Sequence, residues 1–222
     1  MTQGDEETFD EILKKNNDRF STLTKMNVFN ALNNFIYHHK NIHLEKHFDN
    51  INNNLLRYKK NLIQKGKVYA HGDLCFSNIL FSSKKAYLKL IDPKGFSKSK
   101  GMRTGYYELA KLSHSYLGDY DLIVNNLAKI EFDTNMNAKV ALTFKKDNSS
   151  ELFFKDFVNE MNYEFKIVRL LESSLFLSML PLHAENSYKV FLLALKSVEV
   201  FEDYLNLNLS LIHISEPTRP TP

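Results

Sequence analysis

The chain has 222 residues, 43% of them hydrophobic and 13% aromatic, with a formal net charge of +3. That supplies one substantial core, since a domain of this size hides roughly 70% of its unfolded surface, and the basic excess is too mild to indicate nucleic-acid binding. A single cysteine, Cys75, excludes an intrachain disulfide and suits a reducing cytoplasm.

Phe9, Ile12, Leu13, Phe20 and Leu23 recur at the spacing of one helix face and predict a helix from about Glu6 to Lys25. The acidic, polar start, Met1 to Asp10, is unlike a secretory signal. Val28, Phe29, Leu32, Phe35 and Ile36 mark a second helix. Phe48, Ile51, Leu55, Tyr58, Leu62 and Ile63 mark a third, ending near Gly66. It runs through Asn52-Asn53-Asn54 because asparagine weakens a helix by only about 0.7 kcal/mol per site. Val68-Tyr69-Ala70 is β-prone. Ile79-Leu80-Phe81 and Ala86 to Ile91 then flank the polar turn Ser82-Ser83-Lys84-Lys85 and predict a hairpin.

Tyr106 to Leu117 reads as a helix with Leu109, Leu112 and Tyr116 facing inward. Ala128 to Asp133 and Ala138 to Phe144 predict a second hairpin around Thr134-Asn135-Met136-Asn137. Two or three helices follow from Leu152 to Leu205, broken at Pro181 to Asn186. Their apolar runs are interrupted by Lys166, Arg169, Glu172, Lys196 and Glu199 and do not read as membrane spans. Ser210 to Pro222 holds three of the five prolines without periodicity and reads as a non-native tail. The expected fold class is α+β, mainly α, with residues 1–209 as one lobe and 210–222 as the tail.

The chemistry concentrates in His71-Gly72-Asp73-Leu74-Cys75-Phe76-Ser77-Asn78, followed fourteen residues later by Asp92 in Ile91-Asp92-Pro93-Lys94-Gly95. Phosphoryl transfer needs a base beside the attacking hydroxyl and oxygen ligands for magnesium. The pattern H-R-D-L-x-x-x-N is met at His71, Asp73, Leu74 and Asn78, with Gly72 in place of the arginine. The hairpin closes the gap from Asn78 to Asp92, which a continuous helix would stretch to roughly 21 Å. Taken singly, each residue has an ordinary role as turn, cap or strand end. A Cys75-His71 nucleophile lacks an orienting partner, and His71-x-Asp73 with Asp92 is too sparse a ligand set for a hydrolytic metal centre. Lys84, Lys85, Lys89, Lys94, Lys98, Lys100 and Arg103 cluster around the segment, either as a solvated loop or as a positive field for an anionic nucleotide.

From Val68 to Leu117 the chain resembles the aminoglycoside phosphotransferase and choline kinase family, on the strength of His71-Gly72-Asp73 through Asn78 and of Ile91-Asp92-Pro93. The resemblance implies the C-terminal lobe of a protein-kinase-like fold and an enzyme that uses ATP and Mg2+ to phosphorylate a hydroxyl of a small molecule, of the aminoglycoside, choline, sugar or amino-alcohol type. It implies Asp73 as base and Asn78 and Asp92 as metal ligands. Glu108-Leu109-Ala110 keeps the end of the family's Gly-Asp-Pro-x-x-Asp-Leu-Ala element, while Arg103-Thr104-Gly105 replaces its beginning. A non-catalytic kinase-like module that binds nucleotide or protein is the second reading.

Only Gly4 and Gly66 precede His71, so no G-x-G-x-x-G cover for the phosphates is present. The expectation is therefore a partial chain, weakly active or inactive by itself. Its expected partners are a nucleotide and a small-molecule substrate, without nucleic acid or membrane. Asp119, Asp121 and Glu185 are candidate contacts for a cationic substrate, with solvated surface as the ordinary alternative. His183 reads as a connector or a cleft residue, and His114 as structural.

Overall fold

The structure, a computed structural model, describes residues 3–64, 67–94, 102–144 and 149–214. Helices dominate, and the strands form three antiparallel pairs, which makes the fold α+β and mainly α. Among the described residues no helix is long and apolar enough to cross a membrane.

The core is built on α8 (Phe165–Met179) and α9 (Ser187–Ile214). From Phe165 to Leu177, α8 carries eight large apolar side chains distributed around its circumference, so it has no face to give to water and every residue from Ile167 to Ser178 is buried. Most of its polar atoms are matched internally, Glu172 Oε1 being one that has no hydrogen-bond partner among the described residues. Ser173 Oγ donates to the Ser197 carbonyl at 2.8 Å, and Ser197 Oγ returns the bond to Ser173 at 2.9 Å. Arg169 spans Glu172 and Asp203, at 2.6 Å to each, and so ties α8 to α9 through an ion pair in which Glu172 is fully buried.

Around this pair lie α1 (Gln3–Leu23), α2 (Phe29–Lys40), α3 (Leu44–Arg57) and α4 (Lys59–Gln64). The expected third helix is thus two, because the chain breaks at Tyr58. The asparagine run does stay helical, and Asn54 accepts a 2.9 Å bond from Tyr204 on α9. His47 of α3 is buried against Ser197 at 2.9 Å, where loss of hydration pushes its imidazole down to about 3.

β1 (Lys67–Tyr69) pairs with β4 (Met102–Thr104), a long-range pairing that the local pattern did not signal. Between them, β2 (Ile79–Ser82) and β3 (Tyr87–Leu90) form the expected hairpin in the register Ile79 to Leu90. α5 (Gly105–Tyr116) and the short α6 (Tyr120–Val124) follow. The buried arc of α5 is wider than Leu109, Leu112 and Tyr116. It takes in Tyr106, Tyr107, Ala110, Lys111, Ser113 and His114, while Leu112 and Tyr116 are half-buried. β5 (Ala128–Phe132) and β6 (Ala138–Leu142) make the second hairpin, and α7 (Ser149–Glu160) precedes α8. The α8–α9 break is a 3-10 turn at Leu180–His183. α9 extends past Leu209 to Ile214, further than the aperiodic tail suggested, and 215–222 lie outside the described residues.

Candidate functional site

The segment that links β1 to β2 is fixed by its own backbone. Gly72 has φ of 79°, a left-handed conformation that glycine adopts without the penalty a side chain brings. That geometry explains why glycine stands where the protein-kinase pattern has arginine. The N–H groups of His71 and Gly72, which this turn directs to one side, both donate to the Glu108 carboxylate of α5, each at 3.0 Å. The Asp73 carbonyl accepts from Cys75 N–H at 2.9 Å, and a 3-10 turn (Phe76–Asn78) closes with Asn78 N–H on the Cys75 carbonyl at 3.0 Å.

Three bonds tie this loop to the end of the hairpin. His71 Nε2 donates to the Ile91 carbonyl at 2.8 Å, Ile91 N–H donates to the Asn78 carbonyl at 3.0 Å, and Lys94 N–H donates to the His71 carbonyl at 3.0 Å. Asn78, buried, gives its Nδ2 to the Asp73 carbonyl at 2.9 Å, so Oδ1 is the amide atom not used in that bond. Asp92, exposed, sits at φ of 54°, a left-handed conformation that aspartate tolerates better than most side chains. Asn78 thus faces Ile91 across the last rung of the hairpin, Asp92 is the next residue along, and the Asp73 carbonyl is one hydrogen bond from Asn78.

The Asp73 carboxylate is mostly buried and meets two cations: Lys111 Nζ at 2.9 Å and Lys94 Nζ at 3.2 Å. Burial alone would raise its carboxyl, but Lys111 and then Lys94 outweigh that and hold it below the usual carboxylate range. Lys94 responds in the opposite sense, its ammonium raised by Asp73, and it also feels Asp92. Lys111, buried on α5, is the residue that sequence reasoning missed. Its signal was available: it follows Glu108 by three residues on an otherwise apolar arc, where a lysine needs a partner.

Other expectations resolve unevenly. Cys75 is buried with Sγ 3.2 Å from Ser77 Oγ, which fits packing rather than a thiol nucleophile paired with His71. Lys84, Lys85 and Lys89 are exposed on the hairpin. Lys98 and Lys100 lie outside the described residues. His114 is fully buried, with its ring stacked near Tyr120 at 4.3 Å and tilted against Phe176 at 4.2 Å, and burial drives its imidazole well below its ordinary value. His183 pairs with the Tyr120 hydroxyl at 3.1 Å. Asp119 turns inward toward Lys196 at 3.8 Å, Glu185 lies 3.7 Å from His183, and Asp121 has a buried Oδ2 without a hydrogen-bond partner. The three carboxylates do not converge on one cation.

Among the described residues no three His, Cys, Asp or Glu side chains form a metal cage. A magnesium that keeps waters and substrate phosphates in its shell requires only one or two protein oxygens, and Asn78 Oδ1 with the Asp92 carboxylate meets that count with hard donors.

No protein-family profile, curated protein or solved structure matches the chain in the comparisons with known proteins.

Proposed function

We propose that this chain is the catalytic lobe of an ATP- and magnesium-dependent phosphotransferase acting on a small-molecule hydroxyl, a member by resemblance of the aminoglycoside phosphotransferase and choline kinase family. The observation that carries the reading is the clamp. Glu108 from one side and the Ile91 and Lys94 backbone from the other hold the loop that carries Asp73 and Asn78 against the hairpin end, next in sequence to Asp92. That arrangement repeats the division of labour in phosphoryl transfer, where positioning and charge supply most of the catalysis.

In this reading Asn78 and Asp92 hold the metal, which when bound offsets charge on the transferring phosphoryl group. Asp73 accepts a hydrogen bond from the acceptor hydroxyl and orients it. A carboxylate held below its usual range is a weak base, and the fit to this chemistry lies in the loose transition state, where the acceptor proton departs late. Lys94, bonded to Asp73 and within electrostatic reach of Asp92, is placed to meet a phosphate oxygen. The exposed Leu80, Phe81, Tyr87 and Leu88 of the hairpin suit an edge that a further covering element would pack against.

The weak basicity of Asp73 also favours the second reading, a non-catalytic nucleotide-binding module. One titration and one assay separate the two. Mg-ATP binding, followed by amide shifts at 71–78 and 91–94, is expected to require magnesium and to be lost in Asp92→Asn. Phosphate transfer to a panel of alcohols is expected to fall about 10²- to 10⁴-fold in Asp73→Asn. Binding without any transfer selects the module when it persists with a glycine-rich covering lobe joined upstream of the chain. Nucleotide binding indifferent to magnesium and to Asp92→Asn defeats both.

A further inference from the structure

The α1 helix brings two more cations to the Asp73 neighbourhood. Lys15 and Arg19 are four residues apart and share a helix face. That face is anchored: Asn16 Nδ2 donates to Ser174 Oγ at 3.3 Å, and Arg19 Nη1 donates to the Ser178 carbonyl at 3.1 Å. Lys15 Nζ donates to the Tyr107 hydroxyl at 3.3 Å and lies 5.9 Å from the centre of that ring.

Tyr107 stands one turn before Lys111 on α5, and Lys111 Nζ is 2.9 Å from Asp73, so the Lys15–Tyr107 bond brings this face of α1 toward the loop. Lys15 feels the charges of Arg19 and Lys111, and Arg19 feels Asp73 together with Tyr107 and Tyr120. Tyr120 in turn is within reach of Asp73, Cys75 and Arg19. Burial pushes both Lys15 and Arg19 down, so the fold pays to keep them there charged. Among the described residues neither forms a salt bridge. Asp73, the carboxylate nearest this side, is already shared by Lys94 and Lys111. Glu108 spends its two oxygens on backbone N–H groups, and Asp92 lies on the hairpin side of the loop.

A half-buried pair of cations without an anion is a receptor for one. The guanidinium keeps donors beyond Nη1, in the planar fork that matches a carboxylate or phosphate. We infer that the acceptor presented to Asp73 carries an oxyanion, carboxylate or phosphate, beside its hydroxyl, and that Lys15 and Arg19 receive it. This rests on the phosphotransferase reading and narrows its substrate class. Cationic acceptors of the choline or aminoglycoside type meet like charge on the same path.

The test is a titration of the full chain, at low ionic strength, with glycerol 3-phosphate, D-glycerate, glycerol and choline. The two anions are expected to bind at least about tenfold more tightly than glycerol or choline, and Arg19→Gln or Lys15→Met to remove that advantage. Two variants are used because Arg19 also braces Ser178 and its loss could impair folding. Stronger binding of glycerol 3-phosphate assigns a phosphate, and of D-glycerate a carboxylate. Choline or glycerol binding as well as the anions overturns the inference, as does absence of anion binding at millimolar concentration. Displacement of glycerol 3-phosphate by Mg-ADP overturns it too, since the cations then serve the nucleotide. Mg-ATP binding and its loss in Asp92→Asn are read separately, so a failed anion arm leaves the phosphotransferase reading intact. A failed nucleotide arm removes both.

Discussion

The α8–α9 pair and the β2–β3 hairpin show two ways of spending apolar residues. In α8 they are all inside, and even its charges are paired there. In β3 every residue is exposed, and Phe81 of β2 is 69% exposed. The helical half therefore stabilises itself, while the hairpin contributes little to stability and is held in position by its hydrogen bonds to the loop. Stability and the proposed site occupy different parts of the chain, and substitutions should separate them.

The largest effect is expected in the core. Arg169→Met leaves the buried Glu172 with the Ser113 hydroxyl but without its ion partner, and breaking such a pair costs about 3–5 kcal/mol; urea unfolding should show a lower midpoint with little change in slope. A loss under 1 kcal/mol, about what exposed pairs contribute, would mean that the ion pair is dispensable to the α8–α9 contact.

The next effect is a pH dependence. The His47 imidazole is depressed to about 3 in the folded state, while the unfolded chain binds its proton near 6.5. The unfolded state therefore holds more protons between these values, and stability present above pH 6.5 is lost as pH falls through that window. At about 1.4 kcal/mol per unit, and with the unfolded histidine already half protonated at pH 6.5, going to pH 4.5 should remove about 2 kcal/mol. His114 acts in the same direction, and Asp73, lowered by its lysines, adds a loss below its unfolded pKa. His47→Gln, which can keep the bond to Ser197, should flatten the thermal-midpoint profile between pH 6.5 and 4.5. An unchanged profile would assign the dependence to His114.

The smallest effect is expected at the hairpin. Leu88→Ser removes an exposed side chain and should change unfolding free energy by no more than about 0.5 kcal/mol. A clear loss would show that Leu88 packs against something, most simply a second copy, and light scattering of the wild type would check that.

Much of this architecture was legible because it is local. Helical periodicity located α1 and α2, and turn chemistry located both hairpins, since those signals lie within a few residues of one another. Asp73, Asn78 and Asp92 were singled out for the same reason, and the hairpin brings Asn78 opposite Ile91, the residue before Asp92. The break at Tyr58 was not legible, as apolar spacing continues through it. Lys111 was legible only in part: its place on an apolar arc beside Glu108 calls for a partner, but that the partner is Asp73 is decided by tertiary packing. The β1–β4 pairing escaped for the related reason that nothing near Val68 encodes a partner at Arg103.

Glu108 gives α5 a second duty. The same helix that grips the backbone of His71 and Gly72 carries Lys111, one turn on, to the Asp73 carboxylate. Loop height and the charge beside Asp73 are therefore set by a single rigid body, and no shift of α5 can alter one without the other. A lineage that repacked α5 would have to change position and acidity together, so divergence at this site should proceed by replacing what surrounds the helix and leaving its register untouched.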